Sequence, residues 1–208
     1  MAEIGAEQIR ELRERTGAGI MDCKKALAAK DGDMGAAVDW LRERGLASAA
    51  KKAGRLAEQG AVVAYVHPGG RLGVLLELNC ETDFVALTPD FQALARDLAM
   101  QVAASGPRWV RREDVPAEAV EHERDVLRRQ ALAEGKPERI VERMVEGRLA
   151  KFFAESCLVE QAFIKDEERT VGQLVQEAAA RFGENVVVRR FARFALGEAS
   201  AEGPGEGR

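Results

Sequence analysis

The side chains that could do covalent or metal chemistry here are few: Cys23, Cys80 and Cys157, His67 and His122, and acidic pairs such as Glu167-Glu168. The three cysteines stand far apart with no CxxC spacing, which reads as reduced thiols rather than a disulfide framework or a zinc site. Cys157 would be a nucleophile only with His67 or His122 beside it in space, because an ordinary thiol needs a neighbouring base. Leu158 and Val159 next to it favour a buried structural thiol instead. Gly135-Lys136 has neither the upstream glycine nor the following hydroxyl of a P-loop, and Gly17-Ala18-Gly19-Ile20-Met21-Asp22 has Asp where a dinucleotide loop needs a third small residue. Neither HExxH nor GxSxG occurs. The expectation is therefore a protein that is not an enzyme, with no cofactor and no metal. One arrangement is left over, Glu77-Leu78-Asn79-Cys80-Glu81-Thr82-Asp83-Phe84-Val85, where an aromatic follows a carboxylate between a strand end and a helix start. Such a connection can present an apolar wedge and a charge together. Equally, Phe84 could fill the core while Asp83 caps a turn, and the residue types alone leave both open.

Elements on both sides must position that segment. Residues 1–46 read as a three-helix unit. Ile9 and Leu12 sit one turn apart before the reversal at Thr16-Gly17-Ala18-Gly19, and a short helix fits 21–29. Asp33 then caps a helix with Met34, Ala37, Val38 and Leu41 at i, i+3, i+4, i+7. So small a unit buries little surface and keeps some apolar area for a partner. Residues 47–59, free of Pro and rich in Ala and Lys, read as a helical connector. Its Lys51, Lys52 and Arg55 suit a solvated face better than nucleic acid, because no aromatics interleave with them.

From Gly60 the pattern changes to strands at 61–66 and 72–79 around the turn His67-Pro68-Gly69-Gly70, with a third strand at 185–194. Their nearly continuous apolar runs predict a sheet covered on both faces. Thr88-Pro89 supplies the cap and first position of a helix whose stripe is Phe91, Leu94, Ala95, Leu98 and Val102. Pro116 and Pro137 start two more helices, broken at Gly135-Lys136, which predicts a projecting antiparallel hairpin over about 116–155; a last helix fits 170–182. The core domain thus spans 60–197, and the Gly/Glu-rich stretch 198–208 reads as a disordered tail. The fold class is α+β: a three-helix module, then a three-stranded antiparallel sheet with flanking helices and the helical hairpin. Helices are available for one sheet face only, so a second copy of the chain is the simplest cover for the other, which predicts a homodimer.

Composition bounds the class. Of 208 residues 31 are Lys or Arg and 35 Asp or Glu, a net charge of −4, with 46% apolar and 32% charged. That is ordinary for a globular chain. No stretch approaches the ~20 apolar residues of a bilayer span, and the first residues carry no secretory or transit signal. The slight acidity speaks against binding nucleic acid by phosphate neutralisation. The expectation is a cytoplasmic protein with no membrane and no direct nucleic-acid contact.

Two long blocks carry a resemblance to a known family. Leu12-Arg13-Glu14-Arg15-Thr16-Gly17-Ala18-Gly19-Ile20-Met21-Asp22-Cys23-Lys24-Lys25-Ala26-Leu27 resembles the N-terminal signature of bacterial elongation factor Ts, and the segment from Glu77 to Val85 resembles its second signature. Lys136-Pro137 through Met144-Val145-Glu146-Gly147-Arg148 resembles the family's helical hairpin, and the likeness runs to about Glu198. The resemblance implies guanine-nucleotide exchange on the translational GTPase elongation factor Tu. It implies that the N-terminal module, similar to ubiquitin-associated domains, docks on the GTPase through a face holding Leu12, Gly17, Gly19, Ile20 and Met21. It implies that Thr82, Asp83, Phe84 and Val85 intrude near the nucleotide and dislodge its magnesium ion. Short members are similar in working as homodimers, so a two-plus-two complex is within the expectation. Three departures stand out: Leu87 where members usually carry Lys, Arg or Asn; Gln161-Ala162-Phe163 in place of Gln-Pro-Phe; and one core half where longer members have two. The alternative is a helical adaptor that binds a partner without nucleotide exchange.

Overall fold

The structure, a computed structural model, describes residues 4–198, so nearly all of the expected tail at 198–208 lies outside the described residues. The described chain forms two units, one of residues 4–60, 79–91 and 172–187, the other of 61–78, 92–171 and 188–198.

The first unit opens with α1 (Ala6–Thr16), α2 (Ile20–Ala29) and α3 (Met34–Lys52). Gly17 ends α1 in the left-handed region at φ 68°, and its N–H returns to Arg13 O at 2.7 Å. Asp33 caps α3 as expected, its carboxylate accepting the Ala36 N–H at 2.9 Å. Leu12, Cys23, Ala26, Leu27 and Ala37 form the module's core, with Ile9, Met34, Val38, Trp40 and Leu41 packed around it. The connector is helical only as the end of α3; beyond Lys52 the chain turns and is irregular before the first strand. Gly54 interrupts the helix there, and the Asn185 side-chain amide donates to the freed carbonyls, Ala53 O at 3.3 Å and Arg55 O at 2.7 Å. In the same unit α3 crosses α8 (Val171–Phe182) closely. A Cβ on Gly45 would lie 3.0 Å from the Ala180 Cβ, and Arg42 pairs with Glu177 at 3.2 Å.

The second unit holds most of the sheet, β1 (Gln59–Val66), β2 (Leu72–Cys80) and β5 (Val187–Ala195), antiparallel in the order β1-β2-β5. Within one chain only one face is covered. On β2, Val74, Leu76 and Leu78 are buried while Leu75 is exposed, and β1 alternates so that Val62 and Val66 face out. On β5 two successive exposed residues, Arg189 and Arg190, shift the alternation, after which Phe194 is 70% exposed. The strands read as doubly buried because Val and Leu occupy both sides.

The stripe on α5 (Pro89–Ser105), Phe91, Leu94, Ala95, Leu98 and Val102, is buried as expected. Helices α6 (Ala117–Ala133) and α7 (Glu138–Ser156) form the hairpin, turning at Gly135 with φ 72° and packing along Leu127, Ala131, Val141, Val145 and Leu149. A two-stranded antiparallel ribbon, β3 (Ala162–Phe163) and β4 (Asp166–Thr170), was not expected; it puts Glu167 and Glu168 on an exposed strand rather than in a loop. Buried Gln101 anchors the ribbon, donating to Ala162 O at 3.1 Å and accepting the Ile164 N–H at 2.8 Å. Among the described residues no helix is long and apolar enough to cross a membrane.

Candidate functional site

Where β2 ends, two threonine caps six residues apart shape the chain. Thr82 is extended at φ −128°, ψ 154°, and its hydroxyl accepts the Val85 N–H at 3.5 Å. One helical turn, α4 (Asp83–Ala86), follows and closes with Leu87 N–H on Asp83 O at 3.0 Å. Thr88 ends it: its hydroxyl donates to Val85 O at 2.8 Å and accepts the Phe91 N–H at 3.3 Å, with Pro89 behind it as the first residue of α5. Ala86 is the residue of the turn that is buried. Asp83 faces solvent, Val85 is half-buried, and Phe84 and Leu87 are 81% and 77% exposed. The core-filling alternative for Phe84 is thereby overturned: an aromatic and a carboxylate stand side by side on a fixed turn.

The residues beneath the turn did not stand out in the sequence. The Glu184 carboxylate accepts the N–H groups of Glu81 and Thr82, both at 3.0 Å, and the Thr82 hydroxyl at 2.6 Å. Glu81 returns the contact by accepting the Asn185 N–H at 2.7 Å, and Arg55 reaches it at 3.5 Å. Lys52 donates to Gly183 O at 2.8 Å. Two of the three basic side chains weighed for nucleic acid thus hold this corner together. The available signal was Gly183-Glu184-Asn185, two polar residues with no loop around them, wedged between a helical stripe and Val186-Val187-Val188.

Of the five residues expected on the docking face, Leu12 is fully buried in the module core and is not part of the exposed surface. The i, i+3 pairing with Ile9 identified an apolar side of α1 but not which neighbour covers it. Gly17 and Gly19 lie exposed in the loop, and Ile20 and Met21, in the first turn of α2, are 56% and 63% exposed. Beside them Ala6, Ile9, Arg10, Arg13 and Ile20 line a shallow hollow of about 230 Å³.

All three cysteines are buried. Burial, then the nearby Glu184 carboxylate, pushes the Cys80 thiol up, and burial followed by Glu160 pushes Cys157 up to about 11. Such a thiol is protonated at neutral pH and a poor nucleophile. His67 and His122 are exposed, and His67 Nδ1 shares a 2.9 Å hydrogen bond with the Tyr65 hydroxyl. Among the described residues no three His, Cys, Asp or Glu side chains are grouped to hold a metal ion.

Comparison with known proteins agrees along the chain. A family model described as elongation factor TS matches residues 46–198. The elongation factor Ts of Desulforamulus reducens is 62% identical over 198 residues, 95% of this chain and 91% of that protein. That of Heliobacterium modesticaldum is 62% identical over 199 residues, 96% and 93% of the two chains. The protein of the same name from Moorella thermoacetica is 59% identical over 195 residues, 94% and 96% of the two.

Proposed function

The chain belongs to the elongation factor Ts family and is a translation elongation factor, and from that premise we propose that it is the guanine-nucleotide exchange factor of elongation factor Tu. It docks on the GTPase–GDP complex through Ile20, Met21 and the hollow beside them, and it presents the α4 turn to the nucleotide site. Phe84 supplies the steric push. Asp83 competes for the hydrogen bonds that hold the magnesium ligands. Once the metal is displaced, the largest positive charge facing the phosphates is gone and GDP leaves faster.

The factor forms no bond and changes no net free energy between GDP and GTP. It binds the empty GTPase best, so by linkage each nucleotide weakens the factor's own binding by the same ratio. The observation that supports this reading above the others is Phe84, exposed to solvent on a turn fixed at both ends by threonine caps.

Release of a fluorescent GDP analogue from elongation factor Tu tests the reading. Phe84→Ala slows stimulated release at saturating factor by at least about tenfold, ~1.4 kcal/mol of lost transition-state stabilisation, with an unchanged circular dichroism spectrum. Equal rates for variant and parent would sink the wedge, and binding with no acceleration by the parent itself would establish the adaptor instead. The factor works in the cytoplasm as a homodimer, without direct nucleic-acid or membrane contact. The open sheet face with Val62, Val66, Leu75 and Phe194 supports the dimer, since so much aligned apolar surface favours a second copy over water.

A further inference from the structure

Beneath the exposed turn, Glu184 receives three hydrogen bonds from two consecutive residues: both N–H groups on one carboxylate oxygen, the Thr82 hydroxyl on the other. We infer that Glu184 is a positioning residue for nucleotide exchange, holding Thr82 so that the turn carrying Asp83 and Phe84 keeps one orientation; this rests on the reading of Phe84 as the wedge. Two adjacent backbone N–H groups aimed at one point make a small anion-binding concavity, and bonds to a charged acceptor are among the stronger ones. The hydroxyl bond has a second effect. With its proton committed to Glu184, Thr82 Oγ turns a lone pair toward the Val85 N–H, which is the cap on α4. Glu184 thus acts through Thr82 on the turn.

Glu184 cannot easily swing away. Its neighbour Asn185 is held by an N–H to Glu81 and by its side chain on Ala53 O and Arg55 O, so residues 81–82 and 184–185 clasp each other from both sides. The same stretch reaches the docking loop: the Arg181 side chain lies against Gly17, and its guanidinium is 4.0 Å from the Asp90 carboxylate. Loop and tip are therefore both referenced to residues 181–185. A wedge transmits force only if it does not bend, and a four-residue turn has no rigidity of its own.

Amide hydrogen exchange in the free protein, combined with the GDP-release assay, tests the assignment. The reporters are the amides of Ala86, Leu87 and Thr88, which bond Thr82, Asp83 and Val85 carbonyls, with the Leu98 amide of α5 as the reference. In Glu184→Ala the three reporters exchange at least about tenfold faster while Leu98 is unchanged, because only the local opening is affected. Glu184→Gln falls between the parent and Glu184→Ala, since its carbonyl oxygen still accepts both N–H groups while its NH2 cannot accept the Thr82 hydroxyl. In the GDP assay Glu184→Ala lowers the saturating rate by about tenfold with little change in half-saturating concentration, and adding it to Phe84→Ala causes no further loss. Unchanged reporter amides, or fully additive losses in the double variant, would overturn the proposal. If Phe84→Ala proves as active as the parent, the wedge reading fails, and the reporter amides alone then judge whether Glu184 holds the turn.

Discussion

Gly17 is where backbone conformation and packing both forbid a side chain, and Gly17→Ala is expected to destabilise the protein for two separable reasons. The residue sits at φ 68°, ψ 3°, a left-handed conformation that costs an L-residue roughly 1–2 kcal/mol. An added Cβ would also lie 2.9 Å from Arg181 Cδ and 3.3 Å from Cγ, inside the ~3.5–4.0 Å at which carbon atoms attract. The arginine stem must therefore move, disturbing its guanidinium 5.1 Å over the Phe182 ring and 4.0 Å from Asp90. Each of those exposed contacts contributes no more than about 1 kcal/mol. Against this, alanine stiffens the unfolded chain by about 0.5 kcal/mol. The net is a loss of roughly 1–3 kcal/mol, or a fall in Tm of about 3–10 °C at this chain length. Gly147→Ala is the control: an exposed glycine in the middle of α7 with no atom within 4 Å of its would-be Cβ, it should gain about 0.5–1 kcal/mol. Differential scanning calorimetry of both, and of Gly17→Ala combined with Arg181→Ala, separates the two causes. The double variant should cost less than the sum of its parts, because truncating Arg181 removes the clash but not the backbone strain. A Gly17→Ala protein as stable as the parent would refute the reasoning outright.

Two further outcomes are expected. Multi-angle light scattering should give the parent twice the mass of its 22.7 kDa chain and Phe194→Asp that of one chain, since a carboxylate on the open sheet face must be desolvated on pairing; a parent that scatters as one chain at all concentrations ends the homodimer reading. The raised pKa of Cys157 has a defined sign: the folded state favours the neutral thiol, so the stability it contributes is complete below pH 9 and is lost as pH climbs from 9 through about 11. The denaturant-midpoint advantage of the parent over Cys157→Ala should shrink across that window, and an advantage that grows there would contradict the burial of the thiol.

What was legible in the sequence was local chemistry. Asp33, Thr88-Pro89, Pro116 and Pro137 marked helix starts correctly because a cap and the N–H groups it serves lie within one turn. The resemblance alone implied an exposed aromatic-acid segment, because no spacing rule distinguishes a Phe84 that points out from one that points in. Glu184 stayed invisible because its partner Thr82 is 102 residues away. The ribbon of β3 and β4 was missed because two residues show no period and Asp-Glu-Glu-Arg-Thr looks like a loop. The open sheet face, by contrast, was legible by counting: Val62 and Val63 make the strand apolar on both sides, while the helices suffice for one.

The misses at Glu184 and the ribbon share a physical origin, dependence on distant partners, that bears on the proposed tip. A single turn of helix is unstable alone, because nucleation fixes several residues for one hydrogen bond. The α4 turn therefore depends on groups outside it, Thr82 and Thr88 at its ends and Glu184 behind, together with the burial of its own Ala86. Buried Ala86 anchors the turn so that its neighbour Phe84, two residues earlier, can remain in water. For a protein proposed to act by displacing part of another, that division is necessary. Every degree of freedom left in the tip is available to relax the strain that should fall on the nucleotide site. The coupling between factor and nucleotide is a difference in free energy between two bound states, and a tip that yields reduces that difference even when its contacts with the GTPase are unchanged. On the proposed mechanism, the residues that set exchange efficiency thus include those that keep the turn from bending.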